Sequence, residues 1–138
     1  MADIRGDEWK EKETVSMADN KKNFLAVFLG SMTGENFKKW HALPEAERKK
    51  REQQGMAAWH AWAQQHQADI VEMGGPLGKT KQIGPDGIKD ISNALSGFTV
   101  VRAESHEAAA ALFKNHPHFA IFPGDSVEVM PVMPIPGI

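Results

Sequence analysis

Phe24-Leu-Ala-Val-Phe-Leu-Gly30 decides the fold of this chain, together with two later stretches of the same kind, Phe98-Thr-Val-Val-Arg-Ala103 and Ser126-Val-Glu-Val-Met-Pro-Val132. In extended chain successive side chains point to opposite sides, so Leu25, Val27 and Leu29 fall on one face while Phe24, Ala26 and Phe28 fall on the other. Both faces are apolar and both need cover. A single layer of helices covers one of them. The other is expected to meet the same sheet of a second copy, so the periodicity predicts a homodimer through the sheet face.

Outward from these strands, Ser31-Met-Thr-Gly34 reads as a turn, and Phe37 and Trp40 lie at helical spacing in a connecting segment. Pro44 is suited to open the first long helix, with Glu45 and Glu47 favourable at its N-terminus. Its first turns are polar, Gly55 is read as a bend, and Met56, Trp59, Trp62, Ala63 and His66 form the apolar arc that docks. A second strand over Asp69–Gly78 ends in glycines. Gly84-Pro-Asp-Gly87 is a turn between two short extended runs, which predicts a small hairpin arm. Strand three over Gly97–Ala103 leads to Ser105, a good N-cap, and to a second helix reaching about Lys114. Strand four over Ser126–Val132 closes the chain. The order β-α-β, arm, β-α-β predicts an α+β, ferredoxin-like βαββαβ protomer with a four-stranded antiparallel sheet and both helices on one side.

The 138 residues bound the chain to one domain, placed at 23–138, after a polar stretch at 1–22 that reads as a mobile tail. Met17-Ala-Asp repeats the opening Met1-Ala-Asp, which offers Met17 as an alternative start. The net charge of −2 with interspersed signs gives no footprint for nucleic acid or an anionic membrane. Cysteine is absent, which removes disulfides, thiolate metal sites and a cysteine nucleophile, and suits a reducing compartment, with the cytoplasm as the default. No apolar run is long enough to span a bilayer.

These blocks resemble the YCII-related family of dimeric α/β barrel proteins, including its DGPF-like branch. The resemblance covers about 23–137 and rests on Trp59 and Trp62, Gly74-Gly-Pro-Leu77, Phe98–Ala103 with Ser105-His-Glu-Ala-Ala109, and Asn115-His-Pro-His-Phe119 followed by Val127-Glu-Val-Met-Pro131. It implies a dimeric barrel with a cleft between the sheet and the first long helix. It also implies a helix histidine near the Gly-Pro turn with enzymatic chemistry, for which His60 is the nearest counterpart, slightly off the family spacing. The Asp-Gly-Pro-Phe signature itself is absent, since Asp86-Gly87 is followed by Ile88.

The candidate catalytic residues are His60, as acid or base near neutral pH, and His118 as its partner. His60 competes with a structural role, a boundary histidine bonded to backbone. Trp59 is a candidate stacking surface for a ligand or part of the core. Gly75 and Pro76 shape a pocket or a sharp bend at the sheet rim. His66 is a ligand candidate or a helix-end histidine. Asp86 is a turn former that joins the site if the arm folds over the cleft. His116 and His118, on alternate residues of a segment read as extended, have a spacing that serves a metal only if other ligands join, and no metal is assigned. No cofactor motif is present. The expected function is that of a small-molecule enzyme using histidine acid/base chemistry, with a non-catalytic dimeric binding module as the alternative and an unidentified small molecule as ligand.

Overall fold

The computed structural model describes residues 20–137, so most of the stretch read as a tail lies outside the described residues. The doubly apolar first strand becomes β1 (Lys22–Leu29), and two helices follow, α1 (Glu35–Ala42) and α2 (Glu45–Gln65). Next come β2 (Ile70–Pro76), a hairpin of β3 (Thr80–Gly84) and β4 (Gly87–Ile91), and the long strand β5 (Leu95–Ala103). Two short helices, α3 (His106–Ala111) and α4 (Pro117–Ala120), precede the last strand, β6 (Ser126–Pro131).

The molecule is a mixed α+β structure built on a four-stranded antiparallel sheet in the order β2-β5-β1-β6. That order, with the first and third long strands central, is consistent with the expected ferredoxin-like arrangement of two split β-α-β units. The register sets Phe24 opposite Val101, Ala26 opposite Thr99 and Val27 opposite Phe98. Phe24, Ala26, Phe28, Val101 and Ala103 are buried against Trp62 of α2, Ala109 of α3 and Phe113. Both helical layers therefore cover one face. Each large apolar side chain enclosed there stabilises the fold by about 1.5–3 kcal/mol. On the opposite face Leu25, Val27, Leu29 and Val100 are only half-buried.

Three local readings change. The connecting segment with Phe37 and Trp40 is the helix α1, favoured by Glu35 in its first turn and Lys39 and His41 in its last, and its Trp40 packs 5.9 Å from the Phe122 ring. Gly55 does not divide α2, which runs unbroken from Glu45 to Gln65. Gly55 is buried because Phe122 lies so close that a β carbon would overlap its ring. The second predicted helix stops at Ala111 rather than Lys114, and Pro117 then starts a new short helix at its first position. Ser105 caps α3 as expected, its Oγ accepting the Ala108 amide at 3.0 Å.

The arm forms as its turn chemistry predicts, with Gly84 opposite Gly87 and a positive φ of 113° at Gly87. No helix among the described residues is long and apolar enough to cross a membrane.

Candidate small-molecule pocket

Between α2 and the end of the sheet where β1, β5 and β2 meet lies a pocket of about 470 Å³, inside the range of roughly 300–1,000 Å³ typical of small-molecule sites. Its floor is Phe28 with the β5 backbone, α2 supplies Trp59 and His60, and β2 supplies Met73 through Pro76. His118 closes the inner end. Among the described residues no acidic or lysine or arginine side chain lines it.

The β2 wall is shaped by Gly74, whose φ is +67° and where a β carbon would overlap the Phe98 carbonyl. The bend is tied at both sides. Thr99 Oγ1 donates to Met73 O at 2.8 Å, and the Gly74 amide donates to the Glu72 carboxylate at 3.1 Å. This produces the register shifts of β2 against β5 on either side of Glu72. Gly75, by contrast, has open space where a side chain would stand.

His118 is buried, its Nε2 donating to Leu29 O at 2.8 Å. A carbonyl can only accept, so in the neutral ring Nε2 holds the proton and Nδ1 is the basic nitrogen. Burial holds the His118 pKa below the ordinary 6.5, against the opposing pull of the Leu29 carbonyl, Asp125 and the Ser126 carbonyl. The ring is thus a neutral proton acceptor at physiological pH. Ser96 Oγ donates to Phe28 O at 2.8 Å, so this hydroxyl, like that of Thr99, has its hydrogen committed and offers lone pairs. His60 is exposed at the mouth.

Behind the pocket stands His116, fully enclosed and absent from the sequence-derived site except as half of a metal spacing. Its segment is not a continuous extended run. His116 is extended, with φ −61° and ψ 141°, but caps α4, and its Nδ1 accepts the His118 amide at 3.0 Å. The ring centroid lies 4.5 Å from that of Trp59 and 4.7 Å from that of Trp62, both nearly perpendicular to it. Desolvation first, then the neighbouring His118 and His66, push its pKa down to about 4. The signal that could have found this residue was its place one before a proline, a helix-start position, although N-caps are more often Ser, Thr, Asp or Asn.

Of the residues singled out in the sequence, His60, His118, Trp59, Gly75 and Pro76 meet in this pocket. His66 and Asp86 do not line it. His66 ends α2, its ring tilted against that of Trp62 at 5.3 Å and its Nδ1 3.9 Å from the Asp69 carboxylate. Asp86 sits at the exposed tip of the arm between β3 and β4. Met56, expected to dock, is 51% exposed and forms the pocket rim. Among the described residues no group of three His, Asp or Glu side chains is placed to hold a metal ion.

No family model and no curated protein matches this chain. Among solved structures it is similar to the 5-chloro-2-hydroxyhydroquinone dehydrochlorinase from Burkholderia phenoliruptrix AC1100, solved in complex with 2,5-dihydroxybenzoquinone. The identity is 18%, the TM-score 0.43, and the alignment covers 78% of this chain and 89% of that one. At this distance the likeness carries no inference about chemistry.

Proposed function

We propose that the chain binds a small, neutral, predominantly apolar molecule bearing a hydroxyl or similar donor, and that His118 takes a proton from it. The observation that carries the reading is the bond from His118 Nε2 to Leu29 O, which leaves Nδ1 of this pocket-lining ring as a fixed, neutral base. The lining supports the ligand class. Phe28, Trp59, Met56 and Met73 favour an apolar body, the committed hydroxyls of Ser96 and Thr99 favour a donor, and no cationic side chain awaits a carboxylate or phosphate. His60 at the mouth is the second participant, in a position to pass a proton to solvent.

The experiment uses 4-nitrophenol, whose ionised form absorbs differently from its neutral form. Bound at a pH where the free phenol is neutral, it is expected to absorb at longer wavelength than free neutral 4-nitrophenol, because its hydroxyl donates a hydrogen bond to His118 Nδ1, and the His118→Phe variant is expected to bind it without that shift. Absence of binding would defeat the reading. Binding with unchanged absorbance in the native protein would favour the second reading, a non-catalytic binding module, for which the exposure of His60 speaks.

The same proposal takes the chain as a YCII-related protein acting as a homodimer through the half-buried face of Leu25, Val27 and Val100, in the cytoplasm. The blocks that carry the resemblance support the family, the unpartnered apolar face supports the dimer, and the cysteine-free composition supports the compartment.

A further inference from the structure

We infer that His116 is a positioning residue that sets the place of the His118 imidazole in the pocket. The inference rests on the reading of His118 as the working group, but its geometry is independent of any ligand. Two residues apart, the rings are linked by the bond from the His118 amide to His116 Nδ1 at 3.0 Å. That bond fixes the backbone from which the His118 side chain departs, and the second anchor is the bond from His118 Nε2 to Leu29 O at 2.8 Å. Serine or aspartate would supply the same acceptor at a helix start. Histidine adds a ring that fills the space among Phe28, Trp59, Trp62 and Phe113, with centroid separations of 5.1, 4.5, 4.7 and 5.8 Å.

The tautomer follows from the bond. Nδ1 accepts, so Nε2 carries the hydrogen, and Nε2 is a buried side-chain nitrogen without a hydrogen-bond partner among the described residues. Leaving a donor unmatched in an apolar cage costs roughly 1–3 kcal/mol. A phenylalanine would fill the cage without that cost but would drop the His118 amide. The acceptor nitrogen is what the histidine adds, and what it holds is the His118 backbone.

The test reads His118 directly. Long-range nitrogen–proton NMR of the native protein is expected to show His116 protonated at Nε2 and bare at Nδ1; a proton on Nδ1 would overturn the inference. In His116→Asn, whose side-chain oxygen keeps the cap, the His118 titration midpoint is expected to stay near its native value. In His116→Leu it is expected to move up toward 6.5 as the ring loosens into solvent, with faster exchange of the His118 amide. An unchanged midpoint and amide in a folded His116→Leu protein would also overturn it. Should that variant not fold, the native tautomer and the His116→Asn midpoint decide, a shifted midpoint in His116→Asn counting against the inference. None of these signals needs a bound molecule, so a failure of 4-nitrophenol to bind leaves them readable.

Discussion

Gly124 lies directly against the imidazole of His118: a β carbon at position 124 would overlap the ring at Cε1 and Nε2, and the His118 carbonyl as well. The Gly124 amide also donates to that carbonyl at 2.9 Å, so the chain turns back on α4 and clamps the ring from the side away from the pocket. Any side chain here must displace either the turn or the ring.

Gly124→Ala is therefore expected to destabilise the fold by about 1–3 kcal/mol, the usual cost of overpacking. Urea unfolding measures that cost. It is also expected to reduce the absorption shift of bound 4-nitrophenol more than its affinity, because the acceptor ring moves while the apolar walls remain. An alanine variant with native stability and a native absorption shift would mean that the ring is not held from this side.

The two glycines of the β2 bend separate in the same way. Gly74→Ala is expected to cost at least about 2 kcal/mol, since it combines a positive φ with a collision at the Phe98 carbonyl. Gly75→Ala, with open space at its β position, is expected to stay within about 0.5 kcal/mol of the native protein. The difference between the two midpoints of thermal unfolding is the quantity to measure.

Acid is expected to destabilise the protein through His116. The unfolded chain binds a proton at this ring below 6.5, whereas the folded chain resists protonation until about 4. Protons in that window therefore favour the unfolded state, and stability is full above 6.5, falls as the pH drops, and reaches its floor near 4. The loss from this group is on the order of 3 kcal/mol. His118, shifted in the same direction, adds to it. Urea unfolding between pH 7 and 4 should show the decline, and His116→Asn, which cannot titrate, should flatten it.

Light scattering is expected to find a dimer at micromolar concentration, and Val27→Lys is expected to give a monomer. Val27 sits mid-strand on the face away from the helices, opposite Phe98, so a charge there would be trapped between two sheets. A native protein that scatters as a single copy would remove the dimer from the proposal.

How much of this was legible in the sequence depends on where the deciding interactions lie. The long strands and the arm were readable because alternation in β1 and the Gly-Pro-Asp-Gly turn are local signals. The pocket was partly readable, since Trp59, His60, Gly75, Pro76 and His118 do converge. The helix α1 was not, because its single buried residue, Trp40, is fixed by Phe122 far along the chain. Gly55 looks like a bend in the sequence for the same reason, its partner being that same distant ring. His116 was hardest. Its spacing to His118 is that of a metal pair on an extended strand, and only the intervening Pro117, starting a helical turn, and the distant tryptophans turn it inward.

Trp59 stands with one side toward the pocket and its ring 4.5 Å from His116 and 6.4 Å from His118. A guest arriving on the open side changes the polarity that the indole senses, and a protonated imidazole nearby quenches its emission. The protein thus carries a native fluorophore for pocket occupancy and for the charge of both histidines, and a Trp59→Phe comparison isolates its signal from those of the other tryptophans.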